Sequence, residues 1–155
     1  QINSRKFKGS YLFYSFLALL AFVIWNFVTF FIFPPTQNEI SYQLDLPTFT
    51  GATGFLMYFF YPVIADPIFE EMIYRGLVMI ALEKGKKWGL DVLGSATLFG
   101  ILHISSHGWV LTDFFVYMGS GLIMALFFRA TKSIYWPIGL HIVDNAIAQI
   151  LPLLF

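Results

Sequence analysis

Residues 11–33 contain no charged side chain, and that one stretch decides most of what the chain can become. As a helix it is long enough to cross a hydrocarbon core of about 30 Å. Within such a core a helix satisfies every backbone donor and acceptor internally, which an irregular segment facing lipid cannot do. The rest of the composition points the same way: 58% of the 155 residues are hydrophobic and 12% charged, and the mean hydropathy is +0.73, outside the range of ordinary soluble domains. The expected fold is all-α, a polytopic transmembrane helix bundle forming a single domain over residues 1–155.

Arg5, Lys6 and Lys8 precede the first apolar run. A signal peptide also begins with basic residues, but this run is too long and no small-residue cleavage pattern follows it. It reads as the first span. Gln1 in place of an initiating Met is compatible with a processed or partial chain. Lys plus Arg balances Asp plus Glu at nine each, so no net field directs the protein to nucleic acid. The absence of cysteine removes a thiol nucleophile, a disulfide framework and any cysteine-ligated metal.

Pro34 and Pro35 end the first span, and residues 34–47 form a polar stretch without a basic residue, read as a loop. Residues 50–83 then carry a helical pattern through Pro62 and Pro67, read as a second span kinked by prolines. Each proline lacks a backbone donor and frees a carbonyl about one turn earlier. Asp66 and Pro67 suit the cap and first turn of the helix that follows. A basic turn at 84–87 leads to a third span at 88–104, a turn at 105–108 to a fourth at 109–128, and Arg129 and Lys132 to a fifth at 134–155, with Tyr135 and Trp136 as interfacial anchors. The third and fourth spans carry Gly94, Gly100, Gly119 and Gly121, small residues that favour close helix packing. By the positive-inside rule the three basic segments are cytoplasmic. The expected topology is five crossings, with the N-terminus cytoplasmic and the C-terminus outside.

Against this background the polar residues are costly. Glu70, Glu71 and Arg75 follow the proline breaks directly, and a charge at bilayer depth costs roughly 2.5 to 3.5 kcal/mol unless it faces a bundle interior or a wet cavity. Glu71 and Arg75, four residues apart, can pair, whereas Glu70 points about 100° away to address something else. His103 lies late in the third span, and His141 and Asn145 sit one turn apart in the fifth. A structural ion-pair knot with core histidines is one account of these residues. A site is the other, because three spans each bring costly polar groups into the membrane. Asn26 reads as a helix-to-helix hydrogen bond, and Asp144 either orients His141 or bonds a neighbouring helix.

Taken together, Glu70-Glu71-x-x-x-Arg75, Phe99-x-x-x-His103 and His141-x-x-x-Asn145 resemble the motifs of the CPBP family of intramembrane proteases. That family includes the prenyl-protein CAAX endopeptidases and the bacterial Abi proteins linked to bacteriocin processing and self-immunity. The match covers about residues 69–145, within a motif-bearing core of about residues 50–155. Tyr74 stands where Phe is common before the Arg. The resemblance implies an intramembrane glutamate protease that hydrolyses a peptide bond with water activated by Glu70 and His103. His141 and Asn145 would donate to the developing oxyanion, and Glu71 and Arg75 would hold Glu70 in place. No cofactor is implied. A metal-dependent version would use Glu70, His103 and His141 as ligands to zinc, although no HExxH pattern is present. The expected partners are the bilayer and a peptide or membrane-protein substrate, with or without a lipid. A non-catalytic binding or bacteriocin self-immunity protein on the same scaffold is the alternative from another class.

Overall fold

The computed structural model describes residues 9–48 and 50–150. The basic cluster at residues 5–8 and the end of the fifth span at 151–155 lie outside the described residues. Among the described residues the chain is helical throughout and contains no strand. Helix α1 spans Gly9–Ile32, α2 Gln37–Asp45, α3 Gly51–Ala81, α4 Leu90–His107, α5 Leu111–Thr131 and α6 Tyr135–Ile150. By length and apolarity α1, α3 and α5 can each cross a membrane unaided, and α4 is a shorter apolar helix packed among them. The result is an all-α polytopic membrane bundle.

The second apolar segment is a single helix of 31 residues, but it is not uniformly α-helical. Leu56–Ala65 and Met72–Val78 are π-helical and flank the α-helical turn Asp66–Glu71. Such wide turns commonly mark functional sites, and here proline accounts for one of them. In the first wide segment the Asp66 amide bonds back to the Tyr61 carbonyl, five residues earlier. The next bond in that register would come from residue 67 to the Pro62 carbonyl, and Pro67 has no N–H to give. The kink expected at the prolines is thus resolved as a change of helical pitch within an unbroken span.

The polar stretch at 34–47 is not a loop. Thr36 caps α2: its hydroxyl accepts from the Glu39 amide at 3.3 Å, and the Glu39 carboxylate accepts from the Thr36 amide at 2.6 Å. This reciprocal capping box starts a helix whose residues are all partly or fully exposed. It is tied to the bundle by the Gln37 amide, which donates to the buried carboxylate of Asp113 at 2.8 Å.

Close approach at glycine sets the spacing of the spans. A Cβ on Gly121 would meet the Ala96 Cα at 3.2 Å and the Phe99 Cβ at 3.1 Å, so α5 lies against α4 near the backbone. Gly119 accepts the indole of Trp25 from α1, whose Nε1 donates to the Val116 carbonyl at 3.0 Å. The Asn26 amide crosses from α1 to the Asp144 carboxylate on α6 at 2.9 Å, a bond between helices rather than a brace for His141. At the opposite end Asp91 is buried and pairs with Arg129 at 3.3 Å, joining the starts of α4 and the end of α5.

Candidate active site

Glu70 and Glu71 leave α3 in different directions, and α6 places His141 between them. The His141 Nδ1 lies 3.0 Å from Glu71 Oε1, and its Nε2 lies 3.6 Å from Glu70 Oε2. From α4, His103 brings its Nε2 to 3.7 Å from Glu70 Oε1. The two oxygens of one carboxylate therefore each face one imidazole nitrogen, and three helices, α3, α4 and α6, meet at Glu70.

Hydrogen bonding fixes both tautomers. The Nδ1 of His103 lies 2.9 Å from the Phe99 carbonyl, which can only accept, so that nitrogen carries the proton. Likewise Glu71, paired with Arg75, accepts from Nδ1 of His141. Both Nε2 atoms are left to face Glu70. His103 is also held between rings: Tyr117 stacks on it with centroids 4.2 Å apart and planes at 23°, and Phe99 lies 4.3 Å away on a tilted plane.

Beneath this pair lies a sealed layer. Glu71 and Arg75 are completely buried, with Arg75 Nη1 3.0 Å from Glu71 Oε1. The second terminal nitrogen of Arg75 donates to the Gly121 carbonyl on α5 at 2.9 Å, and the guanidinium lies 5.2 Å from the centre of the Phe99 ring. Nη1 lacks an aligned hydrogen bond, so its contact with Glu71 is one of charge more than of direction. Exposure separates the layers: the side chains of Glu70 and His103 are 25% and 17% accessible, those of Glu71 and Arg75 0%. Glu70 and His103 can meet a substrate; Glu71 and Arg75 cannot.

Asn145 sits one turn beyond His141, but its amide donates to the Pro62 carbonyl at 2.7 Å. That is the carbonyl which Pro67 leaves without a donor. The resemblance implies an oxyanion-donor role for this residue, and one of its two amide hydrogens is engaged by the backbone.

Further residues around the site have no signal in the motifs. Tyr117 from α5 stacks on His103 and bonds through its hydroxyl to Thr36 Oγ1 at 3.2 Å. Tyr42, on α2 outside the spans, packs edge-on against Tyr58 of α3 with centroids 6.0 Å apart. Burial raises its phenol above the ordinary value, and the Asp66 carboxylate, Tyr58 and Glu70 raise it further, so it stays a proton donor. Helix α2 is therefore tied to α3 and α5 on the side of the bundle that carries Glu70.

Bundle and cluster together define an integral membrane protein with a glutamate flanked by two tautomer-fixed histidines. A family profile described as type II CAAX prenyl endopeptidase Rce1-like matches residues 52–147, and the chain belongs to this Rce1-like family. Among curated proteins it is similar to "Putative membrane peptidase YdiL" of Bacillus subtilis (strain 168), with 31% identity over 90 residues, 58% of this chain. The matched part spans 35% of that relative's length. No solved structure matches the chain.

Proposed function

We propose that the chain is an intramembrane endopeptidase that hydrolyses a peptide bond with a water activated by Glu70 and His103. The observation that carries this reading is the pair of Nε2 atoms facing the two oxygens of Glu70 at 3.7 and 3.6 Å. Both separations are longer than a direct hydrogen bond and suit a bridging water. Such a water would donate one proton toward His103 Nε2 and one toward Glu70. Glu70 takes a proton as the water oxygen bonds to the scissile carbonyl carbon, giving a tetrahedral oxyanion. The same proton passes to the amide nitrogen as the C–N bond breaks, leaving a carboxylic acid and an amine.

The Nε2 of His141 faces Glu70 while its Nδ1–H is held by Glu71, so His141 can donate to the oxyanion only when both ring nitrogens carry protons. Asn145 retains one amide hydrogen for the same task. Glu71 and Arg75 act on the reaction only through His141 and the helix that carries Glu70. The substrate class is a peptide or membrane-protein segment, with or without a prenyl group, reaching Glu70 from the accessible side of the cluster.

A second reading has an observation in its favour. Imidazoles whose Nδ1 is held by a carbonyl or carboxylate are typical of metal ligands, and Glu70, His103 and His141 are a set that zinc accepts. A bound zinc would supply a water of lowered pKa. Cleavage of a quenched peptide library, including a farnesylated C-terminal peptide, by the purified protein decides between these readings. Glu70→Gln and His103→Ala should each lower the rate by at least about 10²-fold, and a chelator should leave the wild type unaffected. Loss on chelation restored by zinc would establish the metal reading. Full cellular function in both variants would replace the protease with a binding or self-immunity protein.

A further inference from the structure

Within its own helix His103 is held by two contacts, the Phe99 carbonyl and the Phe99 ring, and a third neighbour stacks on it from α5. That third neighbour is Tyr117 of α5, almost parallel to the imidazole at 23° and 4.2 Å between centroids. At its far end the phenol meets Thr36 Oγ1 at 3.2 Å. The Thr36 hydroxyl is 3.1 Å from Glu39 Oε2, a carboxylate oxygen that can only accept, so the Thr36 proton goes to Glu39 and the Tyr117 hydroxyl donates to Thr36. Thr36 is 4% exposed and is the cap that starts α2. A continuous line of contacts thus runs from the first turn of α2, through Tyr117, to the imidazole that faces Glu70.

We propose that Tyr117 is the positioning residue for His103, and that its hydroxyl couples the imidazole to the seating of α2. The proposal deepens the protease reading and rests on it for its catalytic consequence. Its geometric part stands independently. A stacked ring leaves the His103 Nε2 free while preventing rotation about the side-chain bonds, which the single hydrogen bond at Nδ1 does not do alone. The link through Thr36 makes that restraint conditional on α2. Asn38, also in the first turn of α2, is a second hydrogen-bonding partner of the phenol, so the restraint depends on that turn as a whole.

Histidine-labelled protein in detergent tests this by NMR, because the chain has only three histidines and the His103 signals are assigned by their loss in His103→Gln. In the wild type the His103 ring protons should carry an upfield ring-current shift, and Nδ1 should be the protonated nitrogen. Tyr117→Leu should abolish the upfield shift and mix the tautomers. Tyr117→Phe and Thr36→Val should move the same signals part of the way. In the cleavage assay Tyr117→Leu should lower kcat about tenfold to hundredfold, the scale of a misplaced catalytic group, with KM within about twofold; Tyr117→Phe should recover most of the rate.

Unchanged His103 signals in Tyr117→Leu would overturn the positioning role. If only Tyr117→Phe and Thr36→Val left them unchanged, the coupling to α2 would fall. Should Tyr117→Leu fail to fold, those two milder variants still decide, since identical spectra in both would defeat the link. A wild type that cleaves nothing would count against the protease reading alone, because the histidine spectra do not depend on turnover.

Discussion

At the scale of single residues, the cluster is held together by atoms that would be costly to leave alone. Asn145 shows this most directly. Its amide supplies the donor that Pro67 withholds from the Pro62 carbonyl, so Asn145→Ala should cost about 1–3 kcal/mol, the penalty for a buried group left unsatisfied. The same substitution in a Pro67→Ala background should cost much less, because residue 67 then has an N–H of its own. Thermal unfolding in detergent of the two single variants and the double variant measures this coupling, and equal costs in both backgrounds would refute it. The motif residues were legible in the sequence because each is an expensive group on an apolar helix at a helical spacing. Tyr117 was not, since one phenol among many aromatics has no mark until α5 is seen beside α4. Nor could spacing decide whether Asp144 serves His141 or Asn26; that depends on which helix lies next to α6.

Among the helices, packing is decided by the places where a backbone comes close. Gly119 receives the Trp25 indole so tightly that any side chain there must push α1 away from α5. Gly119→Val should therefore destabilise the bundle by about 1–3 kcal/mol, the usual cost of overpacking, and Trp25→Leu should relieve much of that loss. Thermal midpoints of the single and double variants are the measurement, and an additive pair would show that the two residues do not meet. The apolar helices α1, α3, α4 and α5 could be placed from hydropathy, and the small residues marked where they touch. Helix α2 was missed although Thr36-x-x-Glu39 is a capping-box pattern, because its exposed polar residues carry no apolar stripe to signal a helix. The π-helical segments were equally hidden: Pro62 and Pro67 announced a disturbance, but whether a chain answers with a bend or a wider turn depends on a partner such as Asn145.

For the molecule as a whole, the distribution of charge around the bundle sets how it sits in the membrane. Trp88 is 71% exposed beside Lys87, whose ammonium lies 5.1 Å from its ring, an arrangement suited to a headgroup boundary. Arg129 reaches from the end of α5 to Asp91 and to the Lys86 carbonyl, so the two basic turns belong to one end of the bundle. Helix α2, with Glu39 and Asp45 and no basic residue, caps the other. From the positive-inside rule we propose that the basic end is cytoplasmic and that α2 lies on the outer face. The lack of native cysteine makes the test clean, since a single introduced thiol is the only one to react. In intact cells Gln43→Cys should be labelled by a membrane-impermeant maleimide, and Lys87→Cys and Lys132→Cys only after permeabilisation. The reverse pattern would invert the protein and place α2, with the Thr36–Tyr117 contact that leads to His103, on the cytoplasmic side.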